Sequence, residues 1–233
     1  AQARDMYGGM VSYATNNMSR NGIGYLPGVA SDGSFDDVET ATTSQYGAAN
    51  GDDVPNAYAI MLNENLATAE SIINPADTDA DELQLNTTDD TKNDIDEDNY
   101  SYAFLDIGWL AGSGGAAPGN TNRLDAWSNS VSTQSIVLSD MNTGTSTADG
   151  DLSSWWTTED SGNWRGVVVR GDQSTSTGSS ATFDQTKYGD GAFVEDDNLF
   201  RTKVDANSNA DSDALMVTSK DAGPDDQDDA RTP

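Results

Sequence analysis

The stretch AQARDMYGGMVSYATNNMSRNGIGYLPG, residues 1–28, decides how the rest of the chain is read. Met6, Met10, Tyr13 and Asn17 fall on one line at helical spacing, and Tyr7, Val11, Ala14 and Met18 form the line beside it. Arg4, Asp5, Asn16 and Arg20 surround this stripe, so the spacing predicts an amphipathic helix over 1–20. Gly8 and Gly9 weaken it by roughly 1 kcal/mol each relative to alanine. NGIGYLPG at 21–28 is a turn-rich exit. No Ser, Thr, Asp or Asn stands ahead of Ala1 to accept the first orphan amides, so the pattern is that of a helix body continued from upstream.

A second helical segment is expected near 56–72, where Ala57, Ile60, Met61, Leu62, Leu66, Ala67, Ala69, Ile72 and Ile73 keep the period and Pro75 closes it. Strand signals dominate afterwards. YSYAFLDIGWL (100–110), SIVLSDM (135–141) and RGVVVRGD (165–172) are aromatic or β-branched runs bounded by turn residues. Residues 173–183 are nearly pure Ser, Thr and Gly, an edge or a loop. A helix, a short second helix and then antiparallel strands predict an α+β domain whose sheet packs on the first helix. The expected organisation is 1–28 as helix and exit turn, 29–220 as a globular head with long acidic loops, and 221–233 as an acidic, mobile tail.

Composition narrows the chemistry. Acidic residues outnumber basic ones 40 to 11, for a net charge of −29, and 33 of the acids are Asp. Such a surface disfavours nucleic acid and anionic membrane as partners. Three readings of the acid compete: a solvated surface suited to salt, divalent-cation sites, and disorder. The last is opposed by five Trp and eight Tyr. Cysteine and histidine are both absent, which removes disulfides, thiolate chemistry, the commonest general base and the usual transition-metal ligand. No apolar run approaches the roughly 20 residues that a membrane-spanning helix needs.

Catalysis therefore has little to build on: neither G-x-S-x-G nor S-x-x-K occurs in a supporting context, and a carboxylate pair is expected by chance among so many acids. Calcium is the cofactor that the residues offer. Asp77, Asp79, Asp81 and Glu82 alternate, as do Asp94, Asp96 and Asp98, and a third group joins Asp190, Glu195, Asp196 and Asp197. Alternate carboxylates on a flexible loop can converge on a hard cation. Neither of the first two fits an EF-hand, whose twelfth position here would be Thr88 or Leu105. The competing reading of each is a solvated loop. Asp140, Asn142 and Asp172 read as turn caps. The tryptophans read as core, except that strand alternation would expose one of Trp155 and Trp156.

Several segments occur in a telling order: SYATNN and NGIGYLPG, then INPAD (73–77 with its preceding Ile72), NYSYAFLDI (99–107), VLSDMNTGT (137–145), NWRGVVVRGD (163–172) and KYGDGAFVEDDNLF (187–200). Together they resemble the secreted part of prepilin-like, type II secretion pseudopilin-like proteins of planctomycete-type bacteria. The likeness runs from Tyr13 to Phe200. Where relatives often carry Cys before Pro-Ala-Asp this chain has Asn74, so a disulfide of that family is missing. A His-containing signature of the family appears only as Asn163-Trp164-Arg165-Gly166 followed by Gly171-Asp172.

The resemblance implies a pilin-like fold, a leader and apolar helix ahead of Ala1, and a subunit anchored in the inner membrane before assembly into a periplasmic or extracellular filament or secretion apparatus. Its partners would be other pilin or pseudopilin subunits, reached through the helix carrying Met6, Tyr7, Met10, Val11, Tyr13 and Met18. Late-loop calcium in some relatives makes the Asp190–Asp197 group the analogous site. The alternatives are a displayed calcium- or glycan-binding adhesion module and, third, an acid-pair hydrolase.

Overall fold

In a computed structural model of the chain, described for residues 2–36, 46–47, 53–78, 80–81, 83, 93–109, 121–129, 132–144, 152–157, 162–201 and 213–218, the first element is helix α1, Gln2–Asn16. Ala3, Met6, Tyr7, Met10 and Ala14 are buried, the line that helical spacing selects. Val11 and Tyr13 are half-buried beside it, and the Tyr13 hydroxyl donates to Asp36 Oδ2 at 3.2 Å. The helix stops four residues earlier than its pattern suggests. Ser19 N–H bonds to the Ile23 carbonyl and Gly22 N–H to the Ser19 carbonyl, closing a turn. Met18, expected to grip the sheet, is instead 48% exposed. The exit folds back so closely that Gly24 lies against the last turn of α1. Its backbone is tied to Asn129 in both directions, and Leu26 N–H donates to the Trp127 carbonyl.

The second helical segment is two elements. Helix α2, Val54–Asn63, starts at Asp53, whose carboxylate accepts from Val54 N–H, with Pro55 in the first turn. Asn65 then takes a left-handed φ of 56° and ends the run. A separate 3-10 turn, Ala69–Ile72, begins with a reciprocal cap between Thr68 and Ser71. Helix α3 is short, Thr121–Ala126.

Five strands form the main sheet: β3 (Tyr102–Leu105), β4 (Ile136–Asp140), β5 (Gly166–Arg170), β6 (Thr175–Gly178) and β9 (Met216–Val217). Their order is β6-β5-β4-β3-β9 and every pairing is antiparallel. Strands β7 (Thr182–Thr186) and β8 (Val194–Asn198) make a separate hairpin. The two-residue β1 (Tyr46–Gly47) and β2 (Asn93–Asp94) pair in parallel. The α+β class and the helix packed on an antiparallel sheet are thus present, with α1 against β4, β5 and the Ala69–Ile72 turn.

Residues 173–183, ambiguous in sequence, hold the edge strand β6 and the start of β7. Trp155 and Trp156 lie in a turn rather than a strand; Trp156 is 54% exposed and Trp155 half-buried. The tail 221–233 and most of the acidic loop 79–92 lie outside the described residues.

An aromatic ladder fills the core beside α2. Tyr58 stacks on Tyr100 and Phe104 at 4.1 and 4.5 Å, and Phe104 leads to Trp127, which meets Trp109 edge-on at 5.2 Å. The Tyr58 hydroxyl donates to the Tyr102 carbonyl at 2.7 Å, so its polar end is satisfied inside.

Candidate functional site

Three of the segments that carry the resemblance meet at one buried carboxylate, Asp140 at the end of β4. Its Oδ1 accepts from Asn74 Nδ2 at 2.8 Å, and its Oδ2 accepts from Trp156 Nε1 at 3.1 Å and from Val167 N–H at 2.8 Å. Burial pushes this carboxyl up, and the three hydrogen bonds oppose the rise. Next to it the Ser101 hydroxyl donates to Asp77 Oδ2 at 2.5 Å, Trp164 Nε1 donates to the Met141 carbonyl at 3.0 Å, and Asn142 Oδ1 accepts from Gly144 and Ser153 N–H at 3.1 Å. The cap reading holds for Asn142, which accepts from Gly144 N–H, whereas Asp140 joins distant segments instead of capping a turn. Asp172 accepts from Ser174 N–H and caps its turn. The contact that Asn74 makes is a hydrogen bond to a carboxylate.

The first two acidic groups approach each other through backbone. Asp81 N–H donates to the Asp98 carbonyl at 2.9 Å, and Asn99 Nδ2 donates to the Asp81 carbonyl at 2.9 Å. Asp77 points inward and is 7% exposed, while Asp81 and Asp98 are exposed. Asp96 caps the 3-10 turn Glu97–Asn99 by accepting from Asp98 N–H. Asp94 lies on β2, and Asp79 and Glu82 fall outside the described residues. Among the described residues no three acidic side chains converge closely enough to hold a metal ion.

The third group is divided by the β7–β8 hairpin. Glu195 and Asp196 are exposed, and Asp196 has a left-handed φ of 51°. Asp190 lines a cleft of about 350 Å3 together with Ile23, Asp125, Ser128, Ser132 and Ser135. There the Asp125 carboxyl is raised, first by burial and then by the charge of Asp190.

Asp197 turns into the interior beside a buried ion network that the sequence did not advertise. Arg123 on α3 bonds Asp213 Oδ1 at 2.8 Å and Asp106 Oδ2 at 3.0 Å, and its Nε donates to the Asp213 carbonyl at 2.8 Å. These partners are 17 and 90 residues away, so no spacing rule could find them. Asp197 Oδ2 accepts from the Thr186 hydroxyl and from Ala214 N–H, whereas Oδ1 is buried and has no hydrogen-bond partner among the described residues.

Burial pushes the Asp197 carboxyl up to about 6; the Thr186 and Ala214 bonds and Arg123 resist this and Asp213 adds to it. An acid raised in the folded state is easiest to accommodate when protonated. Its destabilising charge is fully present above about pH 6 and relieved as pH falls toward the ordinary carboxylate value. Asp197→Asn should accordingly stabilise the protein by about 1–2 kcal/mol at pH 8 and change little at pH 4.5. Urea unfolding at the two pH values measures this; equal effects at both would remove charge as the cause.

Comparison with protein families, with curated proteins and with solved structures returns no match.

Proposed function

We propose that this chain is the head of a pilin-like or pseudopilin-like structural subunit that works by assembly at the cell surface rather than by catalysis. The observation that carries the reading is the division of α1. One side is sealed on the sheet through Ala3, Met6, Tyr7, Met10 and Ala14, and the other presents Arg4, Asp5, Ser12, Thr15 and Asn16 to the outside. Such a helix can hold its own head and still offer a face to neighbouring copies. The convergence of the resemblance segments on Asp140 supports the same view, because their polar groups are used to join the head together.

The chain has no cysteine, so single Cys substitutions on the outer face report contacts cleanly. In cells making the protein, Ser12→Cys and Thr15→Cys should each give an oxidant-dependent covalent dimer, one disulfide joining the single thiols of two neighbouring subunits. Monomers alone, with thiols that still react with maleimide, would reject assembly through this face.

A second reading, a displayed binding module, is favoured by the cleft between Asp125 and Asp190 with its three serines. Under it a calcium ion bound only by the folded state would raise the unfolding midpoint. Calcium at ten times its dissociation constant contributes about 1.4 kcal/mol, or about 3–6 °C for a chain of this size. A thermal melt with and without millimolar calcium checks this, and an unmoved midpoint counts against calcium.

A further inference from the structure

The edge strand β6 is exposed along Thr175, Ser176 and Thr177, and among the described residues nothing pairs on its outer side. The ladder tells which backbone groups face outward. Across the β5–β6 turn Arg170 N–H donates to the Ser174 carbonyl, and Val168 lies opposite Ser176. Antiparallel alternation then turns the N–H and C=O of Ser176 toward β5 and those of Thr175 and Thr177 away from it.

Open edges are usually defended by lysine, proline or a bulge, because an unpaired ladder recruits another strand. This one has no such defence. QSTSTGSSATF at 173–183 contains no charged residue and no proline, and threonine favours strands. In a chain of net charge −29, two copies repel wherever their acidic surfaces face each other. An uncharged edge avoids that repulsion.

We infer that β6 is a pairing surface for a second copy of this chain, with two β6 strands running antiparallel about a twofold axis through Ser176. This register puts Thr175 of each copy opposite Thr177 of the other, so that the outward N–H and C=O groups exchange hydrogen bonds. Asp172 then falls opposite the partner's Ser180 rather than the partner's acid, and the nearest carboxylates are not brought face to face. The two Ser176 residues form a non-hydrogen-bonded pair, with Cα atoms about 4.5 Å apart. The interface is isologous and closes at two copies. It is independent of the outer face of α1, so one contact can fail without the other.

The geometry makes a sharp test. A Cα separation of about 4.5 Å lies within disulfide range, so Ser176→Cys should oxidise to a covalent dimer. Ser180→Cys, equally exposed on the neighbouring turn but opposite Asp172 in this register, should link at least about tenfold less. In sedimentation velocity at 1 M NaCl, where charge is screened beyond about 3 Å, the wild type should dimerise as concentration rises. Thr177→Pro removes only an outward N–H and should abolish the dimer while leaving the thermal midpoint in place. The inference is overturned if Ser176→Cys links no better than Ser180→Cys. It is equally overturned if the wild type stays monomeric at millimolar concentration in that salt, or if Thr177→Pro dimerises as well as wild type.

Discussion

Gly24→Ala is expected to lower the thermal midpoint by at least about 6 °C. A Cβ on Gly24 would stand 1.7 Å from the Ala14 carbonyl oxygen and 2.5 Å from its carbon, with Met18 Cγ at 3.2 Å. The first two are backbone atoms of the last turn of α1 and cannot move aside as a side-chain end could. Relief requires the exit strand to lift off the helix. That would break the exchange with Asn129, where Gly24 N–H donates to Asn129 Oδ1 at 3.1 Å and the Gly24 carbonyl accepts from Asn129 N–H at 2.8 Å. It would also pull Leu26 from Trp127. Losing two or three hydrogen bonds and part of the apolar contact amounts to more than about 3 kcal/mol, a large share of a typical domain's stability. Gly8→Ala is the control. Nothing lies within 4 Å of its added Cβ, so it should gain up to about 1 kcal/mol from helix propensity. Circular dichroism melts of the pair decide it, and a Gly24→Ala midpoint near wild type would refute the packing argument.

That contrast shows what could be read from residue order. The buried line of α1 follows from spacing alone, because Met6, Tyr7, Met10 and Ala14 can share only one face. The point where α1 ends does not, since it is set by residues 19–24 turning back and by their bonds to 126–129, more than 100 residues away. The β-branched runs at 136–140 and 166–170 identified central strands because both faces of those strands are largely buried. VEDDN at 194–198 gave no such signal. Only Val194 and Asp197 turn inward there, so a strand with one buried acid read as a cation-binding loop. The sites fared likewise. Asp140 stood out as a polar residue at a strand end, but its partners Asn74, Trp156 and Val167 come from three separate segments. Charge abundance hid the rest: among 40 acids, nothing in sequence separates Asp106 and Asp213 from the solvated ones.

Arg123→Met is the second substitution expected to act strongly, at about 3–5 kcal/mol. Arg123 is 2% exposed, Asp106 6% and Asp213 fully buried, so removing the guanidinium leaves carboxylates in the interior without their counter-charge. Two further bonds go with it, from Arg123 Nε to the Asp213 carbonyl and from Nη1 to the Asp106 carbonyl. The damage should concentrate on the clasp in which Asp106 N–H holds the Leu215 carbonyl, Ala214 N–H holds Asp197, and Met216 N–H holds the Leu199 carbonyl. Hydrogen exchange should therefore rise first at β9 and β8 and last at β4 and β5, which make no bond to Arg123. The decisive comparison is the neutral triple variant Arg123→Met, Asp106→Asn, Asp213→Asn. If charge imbalance is the main cost, the triple variant recovers more than half of the loss. If it is as unstable as Arg123→Met alone, the network acts through hydrogen-bond geometry, and Arg123 is needed for its shape rather than its charge.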